Sequence, residues 1–429
     1  MIARIIARVR GPAVFFGCLL LLAGAGCEQL PYLAPTPVSP VATATLAPSL
    51  PPTPEPYSGV GFDAFLAELE SSLLRDRPDL VGRYLARLPT APLTDGNRAI
   101  FLRRGVATSV AVVGDMNNWD AAQGLALRRI DGTDLWVGEG DFASDARLDY
   151  KFLIDGSHLE LDPLNSRTIR ASLGPNSELA MPAYVTPPEL EPAAQPAEGA
   201  LTEHTLDSVF LSQTRTFFVY TPASELLGEP PPTVIIHDGG EYISLIDATA
   251  ILDRLIADGD IPPLVAVFVP PVIRDEEYVH NKAYVQFLAD ELIPFIQQTY
   301  GTAPEASKTA NLGASLGGLL AVYAGVSRPD RFGLAAGYSG LYSLENDALI
   351  RSLQQQETLP LRFYLNVGSY ETAVGGNLAE GNLLEANRRL AETLAARFYD
   401  FSYVEAPQGH SWGLWRDYLG DGLRFLFPR

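Results

Sequence analysis

Three hydrophobic periodicities follow one another along the 429-residue chain. Between residues 57 and 98, Phe62, Phe65, Leu66 and Leu69 recur at helical spacing. Leu80, Tyr84, Leu85 and Leu88 do the same before Pro89, so this stretch predicts a small helical segment. From Ala99 to residue 185 the apolar positions alternate, in TSVAVVGD, LWVGEGDF and LDYKFLIDG, with Asp-Gly turns at 131–132 and 155–156. That alternation predicts a small β-sandwich. Over 201–429 the pattern changes again, to apolar runs separated by helical stretches. RTFFVYTP (215–222) reads as an outer strand, whereas TVIIHDGG (233–240) and LVAVFVPP (264–271) resemble strands buried on both faces. The helices ATAILDRLIADG and YVQFLADELIPFIQQTYG follow, the second with a kink expected at Pro294. KTANLGAS (308–315) runs into the helix LGGLLAVYAGVSR, and RFGLAAGYSG, LRFYLNVGSYE and FSYVEAPQGH continue the series. Strand and helix in this alternation imply an α/β fold with a mostly parallel central sheet.

Two segments carry no period at all. Residues 28–56 are Pro, Ala and Thr with almost no charge, a composition that reads as an extended tether. TPPELEPAAQPAEGA (186–200) reads as a linker between the alternating region and the α/β region. Ahead of the tether, residues 1–27 begin with Arg4, Arg8 and Arg10 and no acid, continue through the apolar run PAVFFGCLLLL, and end in Ala-Gly-Ala-Gly-Cys. A basic start, a short apolar core and small residues before a cysteine describe an export signal. The small residues before Cys27 resemble a bacterial lipobox, which implies lipidation of that cysteine, although Gly24 stands where leucine is usual. The alternative is a retained amino-terminal anchor. Either way the body of the protein is expected outside the cytoplasm, tethered to the membrane.

Composition narrows the chemistry. The formal net charge is −20, from 51 acidic against 31 basic residues, so a phosphate backbone is repelled and nucleic acid is not an expected partner. The two cysteines, Cys18 and Cys27, both lie in the amino-terminal segment. Thiol catalysis and a cysteine-ligated zinc are thereby excluded from the folded body, and no metal or other cofactor is expected.

The remaining chemistry centres on Gly-Ala-Ser-Leu-Gly at 313–317. Such a match alone is weak in a chain with 37 glycines. Its setting strengthens it: Ser315 sits between a strand and an apolar helix, a turn whose sharpness needs glycine on both sides. A serine hydroxyl becomes a nucleophile only when a base takes its proton. Of five histidines, His410 alone follows Ser315, in the loop QGHSW after the last expected strand. Glu371, just beyond LRFYLNVGSY, is the best-placed acid; Glu380 and Glu385 read as helix surface, and Glu405 lies too close to His410. The amides of Leu316 and Gly240, the latter in HDGGEY (237–242), are the candidate oxyanion donors. His237 ends a buried strand and reads as structural.

With these residues in place, two resemblances emerge. VAVVGDMNNWD (110–120) and YKFLIDGSHLELDPLN (150–165) resemble the family-48 carbohydrate module, an immunoglobulin-like domain. Trp119 and Lys151 stand at its sugar-binding positions, while His158 replaces its second stacking tryptophan and Trp136 reads as core. Stacking on a sugar face needs a large flat ring, so the expectation is a domain that packs on its neighbour without binding glycan. Residues 201–429 resemble the esterase D family, an α/β-hydrolase family, in its enterochelin-esterase branch. The matching stretches are HDGGEY, PPVIRDEEYVHNKAYVQFLADELIPFI, NLGASLGGLLAVYAGVSRPDRFGLAAGYSG and GHSWGLWRDYL. The resemblance implies a serine esterase acting on a small-molecule catechol-siderophore ester. Arg274 with Glu277 matches an Arg-x-x-Glu that either orients substrate or shapes its loop as an ion pair. Tyr242 and Trp412 either pack on an aromatic acyl group or serve as pocket wall. Gly-His-Ser-Trp with Trp415 is also the style of feruloyl and acetyl-xylan esterases, and a catalytically silent tethered binding protein is the alternative outside enzymes.

Overall fold

The computed structural model describes residues 60–191, 198–223, 229–375 and 381–429; the expected export signal, Cys27, the tether and Glu380 lie outside them. These described residues belong to one compact unit. It opens with the helices Val60–Ser71 and Arg77–Leu85. Phe62, Phe65, Leu69 and Val81 on their inner faces are buried against strand residues Ile100, Leu102, Leu135 and Val137.

Nine strands follow: β1 (Leu93–Asp95), β2 (Arg98–Arg104), β3 (Val110–Gly114), β4 (Leu125–Arg129), β5 (Leu135–Asp141), β6 (Arg147–Ile154), β7 (His158–Glu160), β8 (Thr168–Ile169) and β9 (Asn176–Ala180). Strand pairing starts at Leu93, six residues before the alternation becomes visible in the sequence. The order is β1-β2-β5-β4-β3-β6-β9-β8, with β7 added to β6, and every pairing is antiparallel. The strands form one continuous path of pairing, in which the group β1-β2-β5 and the group β3-β6-β9-β8 are joined through β4. The strand β4 is shared between the two groups, because Leu125–Leu127 pair with β3 while Arg128 and Arg129 pair with β5. Phe101, Val112, Trp136, Leu148, Tyr150 and Leu179 share one core inside the curl. Alternation specifies which residues face inward, and it does so equally for two stacked sheets or for one that bends.

The second sheet holds β10 (Ala200–Ser208), β11 (Gln213–Thr221), β12 (Thr233–His237), β13 (Val265–Val269), β14 (Thr309–Ala314), β15 (Leu334–Tyr338), β16 (Arg362–Gly368) and β17 (Asp400–Ala406). Its order is β10-β11-β13-β12-β14-β15-β16-β17. The first two pairings are antiparallel, and those from β13 through β17 are parallel. Helices cover both faces, giving one core around Phe217, Leu288, Leu319 and Phe363 and another around Ile236, Leu252, Tyr338 and Leu419. The register aligns the carboxyl ends of four neighbours, with Ala314 opposite Tyr338, Tyr338 opposite Asn366, and Gly368 opposite Ala406. Loops leaving these ends converge, which is where open parallel sheets place their ligands.

The two sheets meet through the loop after β17 and the helix Trp412–Leu426 that follows it. The Arg147 amide donates to the Pro407 carbonyl at 3.2 Å, the Trp412 indole N–H to Ser172 Oγ at 3.1 Å, and the Tyr184 hydroxyl to Asp417 at 2.8 Å. Arg147 is wholly buried and pairs with Asp149 at 2.7 Å and Glu178 at 2.9 Å. Its guanidinium fills the space over Gly413, where an added Cβ would meet Arg147 Nη1 at 1.8 Å.

Candidate active site

Ser315 follows β14 with φ 58° and ψ −120°, a conformation that a non-glycine residue adopts only when its surroundings enforce it. Its amide donates to the Tyr338 carbonyl at 2.8 Å, and its carbonyl accepts from Gly318 at 3.1 Å. A Cβ on Gly313 would lie 2.5 Å from the Gly317 backbone, so the first glycine of the motif is required by the second. The helix Leu316–Ser327 starts immediately, leaving the Leu316 amide in a first turn where no intrahelical acceptor exists.

His410 Nε2 lies 3.1 Å from Ser315 Oγ, and His410 Nδ1 lies 2.7 Å from Glu371 Oε2. Glu371 is fully buried. Its other oxygen accepts from the Gly368 amide at 2.7 Å and from the Ser339 hydroxyl at 2.6 Å. Ser339 in turn accepts the Trp415 indole N–H at 3.1 Å, and the Trp415 ring stands edge-on to His410 with centroids 5.2 Å apart. Because an indole N–H can only donate, the Ser339 hydroxyl proton points to the carboxylate. Three donors thus converge on Glu371, the arrangement that an ionised carboxylate satisfies. Ser339 and the Trp415 indole were not singled out in the sequence as supports for the acid. The register was the available signal: Ser339 follows β15, the strand beside the serine's own, in a Ser-Gly turn with φ 50°.

The loop HDGGEY follows β12. Asp238 has φ 54°, and the helix Gly239–Ile246 begins after it, with Gly240 in its first turn. A Cβ on Gly239 would strike the Phe268–Val269 backbone at 2.4 Å, whereas Gly240 faces open space. His237 is fully buried, and that burial pulls its imidazole down to about 3, so it stays neutral beneath the site.

Other expected residues sort differently. Arg274 pairs with Asp238 through two bonds of 2.7 and 2.8 Å and also reaches the Ala314 carbonyl at 3.3 Å. Glu277 pairs elsewhere, with buried Arg215 at 2.6 and 3.1 Å. The Arg-x-x-Glu is therefore split between two ion pairs, and Arg274 braces the turns at both Asp238 and Ala314. Tyr242 is wholly buried and packs edge-on against Trp412, so of these two aromatics only Trp412 lines the cavity beside His410. Glu385 bonds Arg388 on an exposed helix face, and Glu405 bonds the same arginine. Trp136 is buried in the first core.

Residues 208–426 match the Esterase family model, just over half of the chain. The chain belongs to the Esterase family. That membership supports a carboxylic-ester hydrolase. Among curated relatives, an iron(III) enterobactin esterase of Dickeya dadantii is 27% identical over 54% of this chain, and the match spans 56% of that protein's own length. An iron(III) enterobactin esterase of Escherichia coli K12 is 24% identical over 73% of this chain and 84% of its own. The fold is similar to that of the ferric enterobactin esterase of Salmonella typhimurium, with a TM-score of 0.70, 22% identity, and coverage of 80% of this chain and 98% of that one.

Proposed function

We propose that this esterase is a serine hydrolase of the esterase D, α/β-hydrolase type that cleaves a catechol-siderophore ester through an acyl-enzyme. The observation that carries the reading is the unbroken line Ser315 Oγ–His410 Nε2–His410 Nδ1–Glu371 Oε2, at 3.1 and 2.7 Å. In this mechanism His410 takes the Ser315 proton as Oγ attacks the ester carbonyl. The Leu316 and Gly240 amides hold the resulting oxyanion, each worth about 3 kcal/mol in the transition state. Protonated His410 is stabilised by Glu371, gives its proton to the departing alcohol, and then activates the water that releases the acid.

The iron(III) enterobactin esterases among the relatives support the siderophore class. In this proposal the amino-terminal β-domain is of the immunoglobulin-like kind and packs on the catalytic domain. The export-signal pattern supports an esterase outside the cytoplasm, anchored through a lipidated Cys27. Stopped-flow turnover of p-nitrophenyl acetate tests the chemistry: a burst of one nitrophenolate per protein is expected, and none from Ser315→Ala. Turnover that survives Ser315→Ala unchanged overturns it. Competition between ferric and iron-free catechol trilactones, ethyl ferulate and acetylated xylan tests the substrate class, with the trilactones expected to be consumed fastest.

A further inference from the structure

The amino-terminal β-domain does more than abut the catalytic domain. A cavity of about 390 Å³ opens between them, and Trp119 and Lys151 form one wall while His410, Trp412 and Trp415 form the other. These are the two β-domain positions that match the sugar-binding residues of the carbohydrate module, and the fold turns them toward the histidine. Trp119 has φ 61°, a backbone state in which a bulky side chain is strained. It is held there by its amide, which donates to the Gly114 carbonyl at 2.8 Å, and by its indole N–H, which donates to Asp115 at 3.1 Å. Asp115 is itself buried against Gly409, where an added Cβ would lie 2.3 Å from the Asp115 Cβ. The tryptophan is thereby locked to the residue preceding the histidine.

Lys151 lies on β6 between Tyr150 and Phe152, which face the core, so its side chain leaves the opposite face. The chain has a net charge of −20, and among the described residues most arginines are paired with carboxylates. Among the described residues Lys151 has no carboxylate partner. Asp149, the acid on the same cavity wall, is taken up by Arg147 at 2.7 Å and by the Asn176 amide at 3.0 Å. Leu159 and Leu173, both exposed, give the mouth an apolar rim. A flat apolar wall, an apolar rim and one uncompensated ammonium suit a planar ring that bears an anionic oxygen.

We propose that Trp119 and Lys151 form a specificity subsite for an aromatic group with an acidic hydroxyl or carboxylate, on the ester that Ser315 attacks. This rests on the serine-esterase reading, and a binding arm separates the two. Full-length wild type, Lys151→Met, Lys151→Arg and Ser315→Ala are titrated with N-(2,3-dihydroxybenzoyl)-serine by tryptophan fluorescence. Turnover is measured on its methyl ester, on ethyl ferulate and on N-acetylserine methyl ester. Expected is at least a tenfold loss of affinity, and of kcat/KM on the dihydroxybenzoyl ester, in Lys151→Met, with the N-acetyl ester changed less than twofold. Lys151→Arg restores most of both, and Ser315→Ala binds as wild type does. A matching loss on ethyl ferulate assigns the subsite to phenolic acyl groups in general, and an unchanged rate there restricts it to catechols. Equal affinity of wild type and Lys151→Met overturns the proposal, as does an equal loss on aryl and acetyl esters. Binding of a malto-oligosaccharide that needs Lys151, with aryl turnover unaffected, overturns it in favour of a glycan site. Turnover that survives in Ser315→Ala instead defeats the catalytic reading and leaves the binding arm to stand.

Discussion

Replacing Glu371 by glutamine exchanges a single heavy atom and should disable the histidine. One Glu371 oxygen receives two donors, the Ser339 hydroxyl at 2.6 Å and the Gly368 amide at 2.7 Å; the other receives one, His410 Nδ1–H at 2.7 Å. A glutamine has a single acceptor oxygen and an NH₂ that only donates. Turning the NH₂ toward Gly368 sets it against a fixed backbone N–H, with the group fully buried and no water to compensate. The oxygen therefore stays with Ser339 and Gly368, and the NH₂ faces His410. Nδ1 must then accept, which moves the imidazole proton to Nε2, the atom that has to take the serine's proton. The wrong tautomer costs ~10⁴-fold in kcat, or ~5.5 kcal/mol of transition-state stabilisation, while the fold is kept. The assay is steady-state p-nitrophenyl acetate hydrolysis at neutral pH, with far-UV circular dichroism as the control for folding. A Glu371→Gln protein that is folded and within tenfold of wild type refutes the hydrogen-bond argument and the assignment of the acid.

The neighbouring residues give graded expectations. Ser339→Ala removes one charge-assisted bond to Glu371 and strands the Trp415 indole N–H, so ~2–4 kcal/mol of stability and about tenfold in kcat should be lost, read by denaturant melts and ester turnover. Gly413→Ala drives a methyl into the Arg147 guanidinium, which is pinned by Asp149 and Glu178, and should lower Tm by several degrees; Gly240→Ala, with open space before it, should leave Tm unchanged. Glu178 should make the contact between the two sheets sensitive to acid. Burial opposes its charge, but Arg147, Arg416 and Arg167 outweigh that and bring it from 4.5 down to about 2. A depressed carboxylate stabilises the fold fully above its unfolded value and loses that contribution as pH falls from about 4.5 through about 2. Scanning Tm across that window should show a steeper acid decline for wild type than for Glu178→Gln.

How far the sequence reached depends on the range of the interaction involved. The strands β11 to β17 were legible because each is an apolar run bounded by turn residues, and the parallel order follows from the helices between them. The strand β10 was not legible: ALTEHTLDS is mostly exposed at the edge of the sheet, and its inward positions His204, Leu206 and Ser208 include a single apolar residue. Inward-facing positions of the amino-terminal strands were visible, but the bend at β4 was not, because a single strand shared between two partners leaves no change of period. Ser315 and His410 announced themselves by turn chemistry and by chain order. Glu371 could be ranked only by its strand end. Ser339 and Trp415 owe their part to the register of β15 and to the seating of the last helix, both of which are tertiary facts. Arg274 and Glu277 show the opposite hazard, since a spacing that suggested one pair is satisfied by two others, Asp238 and Arg215.

The central claim is that Ser315 Oγ becomes the acylated atom. Incubating the full-length protein with a fluorescent alkyl phosphonate, then mapping the adduct by peptide mass spectrometry, reads that atom directly. One phosphonyl group per chain on the peptide carrying Ser315 is predicted, with labelling abolished in Ser315→Ala and slowed at least a hundredfold in His410→Ala. Stoichiometric labelling elsewhere, or undiminished labelling of Ser315→Ala, contradicts the account.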